Sequence, residues 1–596
     1  MKRLILILQL LSFHVSTRAQ SIPANRLTDW SNAGYRGTVP AVIQTLDVTQ
    51  LGILGDSVTD NAQTLNNLIT STGGSLRILY FPAGTYRFGN TVTMNDSVIL
   101  QGAGADSTRF VFDFGGGSGY CINASGSGNS TWYPVSGGYR RGSDRITASD
   151  SGVIQVGDWI EIRQANGTWD TQPISWADYS VGQLAEVNSR NGDTLFLDRP
   201  LRINYDSALN VQVSWFTPLR ESAIECLSVE RRDSASCFCP TVNFYHAVDC
   251  AVRGVEGKRS ISAHILLDAS SNVTVSGSYF HDAFEYNGSS MHGYGIALIN
   301  HTGQSLIENN ILRRLRHSFS LQTGANGNVI AYNYSLEPNR SEFPANYGAD
   351  ISMHGHFPYS NLFEGNIVQN IQLDQTWGPS GPLNTFFRNR AELYGILMSS
   401  GTVNSDSQNF AGNEVTSTAA FQGNYALAGT GHFEFGNNVR GVITPAGTNI
   451  LSEVSLYRTS LPAFWNSSQP WPSIGYPNAA GSGSIPAKER YVNGTEKTVC
   501  GTPISTAAAY GVTAQPLSLQ VFPNPVRSGT KAIVNFTKNE IVQVELIDLL
   551  GKTYRVVKTD GTGQLSLDTE GIANGTYLIK TTANSKIAFG RLVVIN

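Results

Sequence analysis

The chain has 596 residues, of which 14% are charged and 41% hydrophobic, with a formal net charge of −4. This length supports two or three domains with a large core, and the composition excludes a wholly disordered chain or an integral membrane protein. The mild acidity excludes a nucleic-acid partner, and 60 glycines point to short strands and many turns.

Lys2 and Arg3 followed by the apolar run Leu4 to Leu11 predict a signal peptide over 1–19, with small residues at Thr17-Arg18-Ala19 for cleavage. Asp60 is a candidate N-cap, and Ala62, Leu65, Leu68 and Ile69 fall on one helical face. Strands follow at Leu76 to Phe81 and Val98 to Leu100, broken by the turn Pro82-Ala83-Gly84-Thr85-Tyr86. Between about 130 and 220 the pattern changes. Val156 to Ile162 and Gly192 to Leu197 alternate as half-solvated antiparallel strands do, so a β-rich insertion is expected there. Its Trp159, Trp169 and Trp176 suit either sugar stacking or packing beneath hairpins.

From about 250 to 425 a mostly apolar pair is followed three places later by Asn. The markers Gly277, Asn310, Asn333, Asn366, Asn389 and Asn413 fall 33, 23, 33, 23 and 24 residues apart. A period near 23 is one coil of a parallel β-helix, three strands and three turns. The two long intervals are insertions of about ten residues, and such insertions often shape a binding face. Seven of the ten histidines (His264, His281, His292, His301, His317, His354 and His356) lie in this region.

Equivalent positions on successive coils stack about 4.8 Å apart. Counting back from the markers places Tyr294, His317 and Asp350 in one column, with Leu373 and Asp374 next in line and His354, Arg314 and Arg316 beside it. Two chemistries use such a column. β-Elimination on a uronic-acid polymer needs a base, a cation against the carboxylate and an acid for the leaving oxygen; His317 or His354, Arg316 and Tyr294 suit these roles. Glycoside hydrolysis needs two carboxylates, for which Asp350 and Asp374 are the candidates, with Asp282 or Glu285 in reserve. The His and Arg content favours elimination. Expected catalytic residues are therefore His317, Asp350, His354, Tyr294, Arg316 and Asp374. His281, Asp282, His292, Arg314, His356 and Trp377 are expected to bind substrate. No cofactor is called for, no metal ligand is assigned, and calcium is the one ion the acids leave open. The six cysteines permit disulfides after export, and Cys237-Phe238-Cys239 near Cys226 and Cys250 suggests local bridging.

The segment Gly55 to Phe88, with Asp60-Asn61-Ala62-Gln63 and Phe81-Pro82-Ala83-Gly84-Thr85-Tyr86, resembles the pectate-lyase-like superfamily, and more narrowly its rhamnogalacturonase/epimerase-type pectate lyase domain. The resemblance implies an all-β chain: a right-handed parallel β-helix with a short N-terminal capping helix. The sequence lacks the calcium-binding acids and arginine of the pectate lyases and the Asn-x-Asp and Asp-Asp motifs of polygalacturonases, so no family catalytic residue is carried over. Val521-Phe522-Pro523-Asn524-Pro525, Val544 to Lys552 and Gly571 to Ile579 resemble the C-terminal sorting domain of type IX secretion, a small β-sandwich. That resemblance implies Sec export, the type IX machinery as partner, and release or attachment at the cell surface. The expected organisation is a signal peptide at 1–19, a β-helix over 20–484, a linker over 485–517 and the sorting domain over 518–596. A secreted monomer acting on polysaccharide is expected, as a lyase on an acidic polymer or alternatively as a glycoside hydrolase. A non-catalytic glycan-binding surface β-helix, or adhesin, is the alternative outside enzymology.

Overall fold

The computed structural model describes residues 21–37, 44–71, 76–289, 291–448, 451–494, 496–500, 520–535, 542–548, 552–559, 564–583 and 586–595. The signal peptide expected at 1–19 and most of the linker lie outside these residues. The chain divides into two compact units, Met1–Ala507 and Ala508–Asn596.

The larger unit is a parallel β-helix with three faces. The first face is a sheet of 12 strands running from Gln44–Asp47 through Leu306–Glu308 and Leu362–Glu364 to Phe433–Phe435. The second face includes Glu256–Ser260, Tyr279–Ala283, Ile311–Arg313 and Tyr334–Leu336, paired parallel in that order. The third includes Val242–Tyr245, Ala263–Asp268, Tyr294–Ile299, His317–Leu321 and Ile351–Met353, likewise parallel. The long strand Ile367–Leu373 rounds the corner and pairs with the second face at Ile367 and the third at Ile371.

Stacked coils place like residues over like. On the first face Val275, Ile307, Ile330, Phe363, Phe386 and Phe410 are in register. The rings of Phe363 and Phe386 lie 4.8 Å apart at 6°, and those of Phe386 and Phe410 5.1 Å apart at 7°. On the third face Ile265, Ile296, Phe319, Ile351, Ile371 and Ile396 form the matching column. Both columns belong to one continuous core. The interior is apolar, so the polar corners need their own solution. Asn310, Asn333, Asn366, Asn389 and Asn413 supply it, each with its Oδ1 accepting from the backbone amide of the coil before. Asn437 extends the ladder by one more coil. The first marker needs correction. Thr274 pairs with Leu306, so Ser278 and not Gly277 occupies the place equivalent to Asn310.

Helix Ala62–Ser71 buries Ala62, Leu65 and Ile69, and Asp60 Oδ1 accepts from the Ala62 amide at 3.0 Å. The insertion is a seven-stranded antiparallel sheet between Ser127 and Thr217 with its own core of Ile146, Ile160, Ile162, Leu195 and Val213. It docks on the corner that follows the third face. Arg199 donates to Ser271 and Asn272, Arg202 to Asn326, and Tyr359 to the Gly182 carbonyl. Cys237 and Cys239 form a disulfide, whereas Cys226 and Cys250 are free thiols and take no part in local bridging. The smaller unit is a β-sandwich: a three-stranded and a five-stranded sheet enclose Val534, Val544, Leu546, Ile579 and Leu592.

Candidate functional site

Strand alternation builds the floor of the site. Ile296 and Leu298, Phe319 and Leu321, and Ile351 and Met353 point into the core. Ala297, Ser320 and Ser352 therefore face the other way, and they are small. The Ser352 hydroxyl is buried with no hydrogen-bond partner. Larger polar side chains stand on either side of this floor. Tyr294 and His317 occupy register positions on adjacent coils at the start of their strands. His354 follows the end of Ile351–Met353, and Asp374 follows the end of the next coil.

Four hydrogen bonds join these groups. Arg316 Nη1 donates to the Tyr294 hydroxyl at 3.2 Å and to His317 Nε2 at 3.3 Å. Tyr294 Oη lies 3.4 Å from His354 Nε2, and His354 Nδ1 lies 3.1 Å from Asp374 Oδ2. The tautomers follow from the partners. His317 Nδ1 faces the Ala349 carbonyl at 3.0 Å, so it carries the proton and Nε2 accepts from Arg316. His354 Nδ1 donates to the carboxylate, which leaves Nε2 with a lone pair directed at the Tyr294 hydroxyl.

The electrostatics separate the groups. Burial, with the Arg316 cation and His354 adjacent, holds the His317 imidazole well below the ordinary range, so it stays neutral. Burial pushes the Tyr294 phenol up to about 12 against the pull of Arg316, so it stays protonated. Burial also pushes the Asp374 carboxyl up, but hydrogen bonds from His354 and Thr376 outweigh it and keep it below its usual value. Asp374 is thus a permanent anion behind His354.

His292 packs edge-on against Tyr294 with ring centroids 5.2 Å apart. His356 is buried between Trp176 and Trp377, at 4.9 Å and 6.2 Å. These residues continue the site. His281, Asp282 and Arg314 do not join it. They form a separate network at the corner before the third face, where His281 contacts Asp282 at 2.8 Å and Glu256 at 3.1 Å, and Arg314 contacts Asp282 at 3.3 Å.

Asp350 also stands apart. Phe319 pairs with Ile351, so Asp350 lies beside Ser318, one place beyond the column expected from the sequence. Its carboxylate is 1% exposed and accepts from Ser335 and from the amides of Gln369 and Asn370. Asp350 precedes the strand Ile351–Met353, and at this corner its side chain turns to Ser335 and away from Tyr294 and His317. Burial raises the Asp350 pKa from 3.8 to about 6 despite those hydrogen bonds. The folded state therefore binds this proton more tightly than the unfolded state. The contribution is fully present below the unfolded pKa and is lost as pH rises through about 6. Asp350→Asn is expected to remove that loss, about 3 kcal/mol for a two-unit shift. Denaturant midpoints at acid and neutral pH measure it; an unchanged pH dependence in the variant would refute the assignment.

Trp159 is fully buried beneath the insertion and is closed to sugar. Trp169 packs on Phe357 at 4.6 Å. Residues that the sequence did not single out line a cavity between the insertion and the third face, among them Trp132, Glu161, Arg163 and Asp268. Among the described residues no group of three or more His, Cys, Asp or Glu is arranged to hold a metal ion.

Among solved structures, the chain is similar to the tailspike gp49 of Pseudomonas phage LKA1, at 12% identity and a TM-score of 0.41, covering 92% of this chain and 98% of that one. It is similar to the tailspike gp61 of Pseudomonas phage phi297, at 12% identity and a TM-score of 0.36, covering 70% and 83%. It is also similar to the A-module of the Azotobacter vinelandii mannuronan C-5 epimerase AlgE4, at 12% identity and a TM-score of 0.31, covering 66% and 89%. No curated protein matches it. Residues 45–145 match the family described as rhamnogalacturonase A/epimerase, pectate lyase-like. Residues 520–595 match the secretion system C-terminal sorting domain, so the chain is a parallel β-helix with a pectate-lyase-like opening, marked for secretion or the cell surface.

Proposed function

We propose that the chain cleaves an acidic polysaccharide by β-elimination. The observation that carries this reading is the bond pattern Asp374–His354–Tyr294–Arg316, in which a base, an acid and a cation meet within 3.4 Å contacts. Arg316 neutralises the uronate carboxylate, which acidifies the neighbouring C–H. His354 Nε2 takes that proton, with Asp374 stabilising the imidazolium formed. The electron pair becomes the new C=C bond and the C–O bond to the leaving sugar breaks. Tyr294 gives its proton to the departing oxygen. The His354–Tyr294 contact then returns the proton from imidazolium to phenolate and resets both groups. His317, neutral and accepting from Arg316, positions the guanidinium.

Hydrolysis is disfavoured because it needs two carboxylates across the scissile bond. Asp350 is committed to Ser335 and two amides, and Asp374 is the one carboxylate among the described residues hydrogen-bonded to this set. Tyr294→Phe removes the acid with little change in shape. It is expected to lower elimination on uronate polymers by about 10² to 10⁴-fold, the usual range for a lost general acid. A variant as active as the parent would rule Tyr294 out of the chemistry.

A further inference from the structure

The cavity between the insertion and the third face has a volume of about 490 Å³. Its walls come from two sources: Trp132, Trp176, Tyr179 and Trp215 from the insertion, and Tyr245, His246, Asp268 and Asn300 from successive coils. It includes none of Tyr294, Arg316, His317, His354 or Asp374.

Three features mark it as built to receive a ligand. First, it is aromatic, and Trp176 is 54% exposed. Aromatic faces suit the C–H faces of sugars. Second, His246 is 5% exposed and sandwiched between Phe216 at 4.4 Å and Tyr245 at 4.1 Å, yet its Nδ1 has no hydrogen-bond partner. The indole N–H of Trp215 is likewise buried and unpartnered. Both residues line the cavity while these atoms are closed to solvent, so their hydrogen-bonding capacity is unused in the structure. Third, the carboxyls outnumber the cations. Glu161, Asp178 and Asp268 line the cavity with one guanidinium, that of Arg163, and with His301, whose Nδ1 lies 2.7 Å from Glu161 Oε1. Both faces of that guanidinium are covered, by Trp132 at 3.3 Å and Tyr179 at 3.9 Å. Burial keeps His246 neutral, with its pKa lowered to about 4, so it adds no positive charge. Such a lining repels another carboxylate or a sulfate and accepts hydroxyl donors.

The cavity lies on the same outer face as the Tyr294 site. Asp268 pairs with Ile299, and continuing the pairings Leu298↔Leu321 and Leu321↔Met353 leads through Gln322 to His354. Asp268 is therefore three coils from His354, about 14 Å along the stack. The Trp176–His356–Trp377 contacts run beside this path.

We infer that this cavity is a subsite for an uncharged, hydroxyl-rich sugar unit of the same polymer whose uronate is held at Arg316. The inference rests on the polysaccharide reading above and sharpens it. The substrate is a heteropolymer carrying both uncharged sugars and uronates, rather than an all-uronate chain.

The test is calorimetric titration of full-length His354→Ala, in which loss of the proposed base is expected to leave binding without turnover. The probes are rhamnogalacturonan backbone and hyaluronan, which alternate uronates with uncharged sugars, against polygalacturonate and alginate, which are all uronate. At least one alternating polymer is expected to bind about tenfold tighter than either all-uronate polymer. Adding Trp176→Ala is expected to abolish that preference. Asp268→Asn provides a second reading if the Trp176 variant unfolds, as judged by its thermal transition. Equal binding of both polymer types, binding of none, or an undiminished preference in both folded variants would overturn the inference. Retained preference in a protein whose parent shows no elimination would instead count against the reaction and leave the subsite standing.

Discussion

Asp374→Asn is expected to lower kcat for elimination by about 10² to 10⁴-fold, the range for disabling a general base. The carboxylate accepts from His354 Nδ1 at 3.1 Å and so fixes the proton on that nitrogen. An asparagine amide can turn its N–H₂ towards Nδ1, which moves the imidazole proton to Nε2, the atom that must take up the substrate proton. The anion that stabilises the imidazolium is lost as well. The carbonyl of asparagine still accepts from the Thr376 amide, as Asp374 Oδ1 does at 2.8 Å, so the turn should survive. KM is expected to change much less, because the substrate carboxylate binds Arg316. Initial rates of double-bond formation measure the effect. A loss of less than about threefold would show that His354 is not the base in this arrangement.

The second large effect is on stability. Asn366→Ala is expected to cost about 3–5 kcal/mol, because several buried polar groups lose partners at once. Asn366 is fully buried, and its Oδ1 accepts from the Asn333 backbone amide and side-chain Nδ2, both at 3.0 Å. Its own Nδ2 donates to the Ile330 carbonyl at 2.8 Å and to Asn389 Oδ1 at 2.9 Å. Alanine leaves the Asn333 donors and the Ile330 carbonyl unsatisfied and opens a void in mid-stack. The exposed helical Asn67→Ala should stay within about 0.5 kcal/mol of the parent. Equilibrium denaturation of the two variants side by side provides the measurement. Similar small losses in both would mean that the ladder is dispensable.

The same ladder explains why so much of the fold was legible in the sequence. A buried asparagine at each corner has few substitutes, because it must both donate and accept within one repeat. Its spacing therefore survives in the sequence as a countable period. The period is masked where the marker changes identity. Ser278 stands where later coils have Asn, and its amide donates to Asn310 Oδ1 at 3.0 Å without an amide side chain of its own. The column Tyr294–His317 was also visible, since no insertion longer than the repeat separates their coils. Asp350 was misplaced because the turn between Met353 and Leu362 is one residue longer than its equivalent between Leu321 and Val329, so the count back from Asn366 fell one residue short. At that corner one residue decides whether a carboxylate meets His317 or Ser335. His354 and Asp374 were identified as residues, but their pairing depends on adjacent strand ends and is not a sequence spacing. The cavity was the least legible feature. Glu161 and Asp268 are over a hundred residues apart, and only the docking of the insertion brings them to one wall.

Bond cleavage by β-elimination creates a double bond, whereas hydrolysis consumes water. The most direct measurement follows unsaturated ends by ultraviolet absorbance and reducing ends by chemical assay in the same reaction, with the full-length chain and uronate-containing polymers. One unsaturated end is expected for each new reducing end, with both lost in His354→Ala. Reducing ends without matching absorbance, or full activity in His354→Ala, would contradict elimination by this site.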